Sequence, residues 1–267
     1  MVIIAVINNK GGVGKTTTAV NVAGALAVAE QPTLLVDLDP QGNATAGLGP
    51  ERSTAATIYD VLLEGVAADQ ACCQTTLPAL TLLPGSGDLV GAELALAERP
   101  ARETCLREAL RPLAERFRFI IVDCPPSLGL LTLNALVAAD AAVIPLQCEY
   151  YALEGLAQLM KTLDLVRERA NSQLAIEGIV FTMFDGRTSL ATQVRGEVER
   201  CFKAYLFEAV IPRNVRLTEA PSHGCTIVQY DLRSPGAVAY LELAKEVIAH
   251  DEARARARAR GPAPAAS

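Results

Sequence analysis

Residues 9–18 read Asn9-Lys10-Gly11-Gly12-Val13-Gly14-Lys15-Thr16-Thr17-Thr18. An apolar, β-branched run from Val2 to Ile7 precedes them, and a helical pattern from Thr17 to Ala29 follows. Strand, glycine-rich turn and helix, in that order, is the setting of a phosphate-binding loop. Glycines let the backbone curl so that several N–H groups point at one anion. The helix N-terminus behind them adds about half a positive charge. In such a loop Lys15 reaches the β- and γ-phosphates of a nucleotide and the Thr16 hydroxyl ligates Mg²⁺. A glycine-rich turn by itself binds nothing, but here Gly11, Gly12, Gly14, Lys15 and Thr16 all stand in the required context. The general pattern has glycine five residues before Gly14. This chain has Asn9 there, and a second lysine, Lys10, at the start of the loop.

The rest of the chain alternates strand-like and helix-like segments. Thr33 to Leu38 reads as a buried strand ending in Asp37-Leu38-Asp39-Pro40-Gln41-Gly42. Two carboxylates at a strand's C-terminal end lie where open α/β sheets bind their ligands, and one of them is placed to orient a water facing the γ-phosphate. Ser53 to Asp69 carries a helix around Ile58, Leu62 and Leu63. Leu80 to Leu83 is a short strand, and helices follow at Leu89 to Ala97 and Arg102 to Arg116. Phe119-Ile120-Ile121-Val122-Asp123 is four apolar residues and an aspartate on a buried strand, the Walker B arrangement, with Asp123 serving Mg²⁺.

Leu128 to Ala139 is helical, and Ala142 to Leu146 is a strand. Leu153, Leu156, Met160, Leu163 and Val166 repeat at helical spacing, as core packing or a partner face. Ile176 to Phe181 and Leu206 to Ile211 are strands flanking a helix from Ser189 to Lys203, and Gly236 to His250 closes the fold as a helix. Alternation of this kind predicts an α/β fold, a mostly parallel twisted sheet with helices on both faces.

Composition bounds the partners. The 267 residues suit one domain over 1–250, followed by an Arg/Ala/Pro tail over 251–267 that cannot bury a core. The net charge is −6, so the whole protein repels nucleic acid and any DNA contact needs a local basic patch. Seven cysteines without regular spacing indicate neither a zinc site nor a disulfide framework. No apolar stretch is long enough to span a bilayer and no signal peptide fits, so a cytoplasmic, membrane-free protein is expected. His223 and His250 are the only histidines and have no metal-ligand spacing. The tail is either a solvated segment or an anion-binding arm.

Lys-Gly-Gly-Val-Gly-Lys-Thr over residues 10–16 resembles the deviant Walker A motif of the ParA/MinD group of P-loop ATPases, in which the first lysine is the signature. Four segments are similar to the short chromosomal-type ParA proteins, also called Soj: NKGGVGKTTTAVN, VDLDPQGNATAGLG, IIVDCPPSLGLLTLNAL with QCEYYALEGL, and IPRNVRLTEAPSHG. The similarity runs from Val2 to about Ala249. Asn9 stands where that family usually has glutamine, and the helix-turn-helix segment of many plasmid relatives has no counterpart here.

The resemblance implies a Mg²⁺-dependent ATPase. ATP would contact Lys10, Gly11, Gly12, Val13, Gly14, Lys15, Thr16 and Thr17, with adenine near Met183, Pro212 and Asn214, and Thr16 and Asp123 would hold Mg²⁺. Catalysis would fall to Lys10, Lys15 and Asp39, with Lys10 reaching across an ATP-dependent homodimer to the partner's phosphates. Arg187 and Arg216 would bind nonspecific DNA, giving a nucleoid-associated ATP state. A ParB-type DNA-binding protein would stimulate hydrolysis and release. A MinD-like division-site ATPase is the alternative, but after His250 the chain has no large apolar residue for a membrane-inserting helix.

Overall fold

Alternation along β1 (Val2–Val6) sets the architecture. Ile3 and Ala5 pack into one apolar cluster, Val2, Ile4 and Val6 into another, and all five residues are buried. A strand buried on both faces has to be covered on both faces. The computed structural model describes residues 1–49 and 56–259.

In chain order, β1 leads into α1 (Lys15–Val28), β2 (Thr33–Asp37), and the short helices α2 (Asn43–Leu48), α3 (Ile58–Leu63) and α4 (Ala68–Ala71). Then come β3 (Cys73–Gln74), β4 (Leu80–Leu83), α5 (Leu89–Ala97), α6 (Cys105–Leu110) and β5 (Phe119–Asp123). The second half runs α7 (Leu130–Ala138), β6 (Ala141–Gln147), α8 (Ala152–Arg169), β7 (Ala175–Phe184), α9 (Ser189–Phe202) and β8 (Leu206–Pro212). Two short helices, α10 (Arg216–Glu219) and α11 (Ile227–Tyr230), precede the long α12 (Pro235–Ala259).

The strands form one eight-stranded sheet in the order β3-β4-β2-β5-β1-β6-β7-β8. Every pairing is parallel except β3 with β4. Residues of α1, α2, α11 and α12 join the cluster on one face; residues of α3 and α5 to α9 join the cluster on the other. The expected α/β architecture is therefore the observed one. From β1 the chain moves to β2 on one side, and from β5 it passes over β1 to β6 on the other. The loop after β1 thus opens at the topological switch point, where such sheets bind ligands.

Several boundaries differ from the sequence expectation. α1 starts at Lys15, two residues early, because Gly14 acts as its N-cap. The helix expected over Ser53 to Asp69 is two pieces, α3 and α4, and its first residues lie outside the described ones. The helix expected over Arg102 to Arg116 is shorter, with a 3₁₀ turn at Arg111–Leu113, where Pro112 cannot donate to an α-helical ladder. The antiparallel edge strand β3 was not expected, since two residues carry no periodicity. The apolar stripe of α8 is core: Leu156, Leu163 and Val166 are buried and Leu153 and Met160 pack against them. α12 continues nine residues past His250, to Ala259.

Candidate functional site

The loop between β1 and α1 is built to receive an anion. Gly12 and Gly14 have φ of 75° and 87°, values that side-chain-bearing residues rarely adopt. No side chain caps α1 and its first turn holds no acidic residue, so its first N–H groups face the cleft unneutralised. The loop is pinned at both ends. Asn8 donates from Nδ2 to the Pro145 carbonyl at 2.7 Å and accepts from the Lys10 N–H at 3.0 Å. Thr182 Oγ1 donates to the Val13 carbonyl at 2.8 Å.

The two lysines are held differently. Lys15 is buried, and its Nζ donates to the Lys10 carbonyl at 2.9 Å. Burial lowers its pKa, while Asp123 and Asp39 favour its charge. Lys10 is exposed at the rim and its ammonium pairs with Glu149, just beyond β6. One lysine therefore points into the loop and the other out of it.

Three aspartates gather opposite Lys15. Asp37 and Asp123 stand in register on neighbouring strands, and both are 0% exposed. Asp37 is occupied structurally: its Oδ2 accepts from the Thr45 N–H at 2.8 Å and the Thr45 hydroxyl at 2.7 Å, tying β2 to α2. Burial raises its pKa against those hydrogen bonds. Asp39, 7% exposed, accepts from the Gln41 N–H at 3.0 Å and lies on the cleft wall. Asp123 differs from both. Neither of its carboxylate oxygens has a hydrogen-bond partner among the described residues, although the Thr16 hydroxyl is near enough to favour its charged form. Burial, then Asp37, raise its pKa far above the ordinary carboxylate range. A buried carboxylate left orphaned beside a threonine hydroxyl fits a divalent cation. Among the described residues no group of three or more His, Cys, Asp or Glu side chains could hold a metal ion.

A cleft of 480 Å³ beside α2 shares Thr16, Thr17 and Asn43 with a larger one of 690 Å³ that contains the phosphate loop. The larger cleft brings Lys15, Thr16 and Asp39 together with Met183, Pro212 and Asn214. Met183 has φ of 49°, an uncommon backbone state for a residue of its size. The Nδ2 of Asn214 is buried without a partner among the described residues, while its Oδ1 accepts from the Arg216 N–H at 2.9 Å.

Arg187 and Arg216 follow β7 and β8, at the same edge of the sheet as the cleft. Each is already engaged. Arg187 donates twice to Asp185, at 2.8 and 2.6 Å, and these bonds pull the Asp185 pKa down to about 2. Arg216 donates to Glu219 at 2.8 Å and lies 3.7 Å from Asp231. Arg213, exposed between them, has no ion-pair partner among the described residues. Sequence reasoning gave no role to Asn8, Thr45, Glu149 or Thr182. Glu149 and Thr182 contact the loop across more than a hundred residues of chain, and nothing local marks them.

Comparison with known proteins agrees with this geometry. A family model described as an AAA domain matches residues 1–176. The chain is 54% identical to the chromosome partitioning protein ParA of Myxococcus xanthus, over 93% of this chain and 88% of that one. It is 52% identical to the sporulation initiation inhibitor protein Soj of Bacillus subtilis, over 93% and 98%. Among solved structures, cobyrinic acid a,c-diamide synthase of Mycobacterium smegmatis with bound ADP and magnesium superposes with a TM-score of 0.82 at 37% identity, covering 94% and 96%. The Pyrococcus furiosus cell division ATPase MinD superposes with 0.78 at 27% identity, covering 93% and 98%. The phosphate loop with two lysines, the buried strand-end carboxylates and half-identity to ParA and Soj along nearly the whole chain lead to one assignment: this chain belongs to the ParA/Soj family of partitioning ATPases.

Proposed function

We propose that the chain binds ATP with Mg²⁺ in the 690 Å³ cleft, dimerises in that state, binds DNA without sequence preference as the dimer, and is released when a ParB-type partner stimulates hydrolysis. The observation that carries the reading is the pairing of a two-lysine phosphate loop with the orphaned, buried Asp123. Mg²⁺, when bound, would neutralise charge on the β- and γ-phosphates. Thr16 and Asp123 are the residues suited to hold it. In the chain itself, Lys15 exchanges the Lys10 carbonyl for phosphate oxygens, at little cost because its ammonium is already desolvated and pre-aimed. The N–H groups at the start of α1 supply the rest of the anion's hydrogen bonds. Asp39 takes the water-orienting role, since Asp37 is tied to Thr45. Met183, Pro212 and Asn214 line the adenine end, with the free amide of Asn214 as a donor to the base.

Dimerisation is supported by the rim. Lys10 points outward, Val90 and Leu94 on α5 are 72% and 78% exposed, and Tyr150 and Tyr151 beside Glu149 are 76% and 67% exposed. Val90 lines a smaller cleft with Asp39 and Gln41, and the two tyrosines follow the Glu149 that pairs with Lys10, so large apolar side chains left exposed beside the site are suited to a contact surface. Two facing copies would double the basic loops carrying Arg187, Arg213 and Arg216 and so steepen the salt dependence of DNA binding. No helix of the described residues is long and apolar enough to cross a membrane. The expected division into a domain over 1–250 and a tail over 251–267 stands as part of the proposal, with Arg260 to Ser267 outside the described residues.

Size-exclusion chromatography of two variants tests the scheme. Lys10→Ala should bind ATP as a monomer, and Asp39→Ala should remain dimeric with ATP because hydrolysis stalls. A monomeric Asp39→Ala or a dimeric Lys10→Ala refutes it.

A further inference from the structure

A smaller cleft of 290 Å³ shares Asp39, Gln41 and Pro126 with the nucleotide cleft and adds Glu93 from α5. On that helix Leu89, Ala92 and Leu96 are buried in the core, Val90 and Leu94 are exposed, and Glu93 is half-buried. The Glu93 carboxylate reaches the start of α7. Its Oε1 accepts from the Leu131 N–H at 3.4 Å, across 38 residues of chain. α7 brings no cap of its own: Gly129 at its N-cap has no side chain to bond the first turn, and that turn holds no acidic residue. A carboxylate there meets free N–H groups and the positive end of the helix dipole. Gly129 leaves room for it, because a Cβ at that position would meet Glu93 Cδ at 2.6 Å. Its backbone, with φ of −85° and ψ of −166°, is extended and open to any residue.

What the cap steadies is the segment from Asp123 to Gly129. At its first end the Leu38 N–H donates to the Asp123 carbonyl at 3.0 Å and the Cys124 N–H to the Val6 carbonyl at 3.3 Å. Pro125 and Pro126 follow, and proline fixes φ near −65°. Such a stretch is stiff, so a displacement at one end is carried along it rather than absorbed. At the other end Thr132 Oγ1 donates to the Ser127 carbonyl at 2.6 Å, tying the segment to the turn that Glu93 caps. The middle of α7 is held separately by Asn134, which accepts from the Leu106 N–H at 3.1 Å and donates to the Arg102 carbonyl at 2.8 Å. Glu93 therefore acts on the first turn, and through it on Pro126, which walls both clefts.

We infer that Glu93 is a positioning residue for ATP hydrolysis. By capping α7 it holds the segment behind Asp123 in the pose that keeps Asp123 and Asp39 in register. It acts through Gly129 and Pro126 and touches no reacting group. Nucleotide affinity is supplied elsewhere, by Lys15 and the loop after β1, so the residue serves turnover and not binding. The inference rests on the ATPase reading of the cleft.

The test measures steady-state ATP hydrolysis by the full chain, and amide hydrogen exchange over residues 127–133 without nucleotide. Glu93→Ala should lower kcat about 10- to 100-fold, the cost of a displacement of about 1 Å near a reacting group. Its KM for ATP should change by less than about twofold, and exchange in the first turn of α7 should quicken. Gly129→Ala, whose methyl displaces the carboxylate while Glu93 stays in the sequence, should reproduce both effects. The double variant should add nothing to either single one. Glu93→Gln keeps a carbonyl oxygen for the Leu131 N–H and should restore most of kcat and the slow exchange. Four results overturn the inference: an unchanged kcat in Glu93→Ala, a raised KM with kcat unchanged, losses that multiply in the double variant, or a Glu93→Gln as inactive as Glu93→Ala while its exchange stays slow. If the exchange pattern holds but the parent hydrolyses no ATP, the tether stands and the ATPase reading falls.

Discussion

Asp123→Asn should make the nucleotide-free protein more stable and the nucleotide-loaded protein less so. The parent buries a carboxylate, 0% exposed, with both oxygens lacking hydrogen-bond partners among the described residues. Asp37 and Asp39 lie close enough to oppose its charge, and Lys15 offsets this only in part. Leaving a buried polar group unsatisfied costs about 1–3 kcal/mol, and a charged one more. Asparagine keeps the shape and leaves a neutral polar group in the same place, so what the variant recovers in EDTA is only the excess cost of the charge, about 1–3 kcal/mol. In a domain of this size that is a rise of about 2–12 °C in Tm.

The sign with pH follows from the raised pKa. Protonation of Asp123 begins at higher pH in the folded chain than in the unfolded chain, whose reference is 3.8. The parent is therefore favoured below that value and loses stability as pH rises through the folded pKa. The advantage of the variant should widen with pH over the same window. With MgADP the order reverses. A ligand at about a hundred times its Kd stabilises by about 2.7 kcal/mol, a gain the parent keeps and the variant largely loses. Thermal unfolding by circular dichroism, in EDTA and then with MgADP, reads both halves. A variant less stable than the parent in EDTA, or one stabilised equally by MgADP, refutes the assignment of Asp123 as a charge held in reserve for a cation.

Lys15→Ala should abolish ATP binding in titration calorimetry, because it removes the one ammonium aimed into the loop; unchanged affinity would count against the loop assignment. Arg254→Ala should cost about 3–5 kcal/mol by stranding the buried Glu177 carboxylate with only His250, visible as a fall in Tm of about 6–20 °C. A truncation intended to remove the tail alone must therefore begin after Ala259, not at Asp251. Asp185→Asn should free Arg187 and steepen the salt slope of DNA binding by up to about one unit. A change of pH cannot substitute for that mutation, because Asp185 stays ionised down to about 2.

What the sequence determined by itself was local. The phosphate loop was legible because its glycines, Lys15 and Thr16 are contiguous and sit between a strand and a helix, and Walker B because Asp123 closes an apolar strand. The α/β class followed from periodicity, and the family from four contiguous segments. Short elements such as β3 and α10 escaped notice because two to four residues carry no period.

Only the tertiary structure decided how groups far apart in the chain act on one another. It separated Asp37, tied to Thr45, from Asp123, left without a partner, although each simply ends a buried strand in the sequence. It also showed that Lys10 pairs with Glu149 and that Arg187 and Arg216 are each engaged by a carboxylate. The arginine–alanine run shows the same division. Composition marks it as unable to build a core, yet Glu177 on β7 anchors its first arginine through a contact 77 residues apart in the chain. Burial and charge pairing depend on which strands lie side by side, and that order is a property of the packed sheet rather than of any one segment.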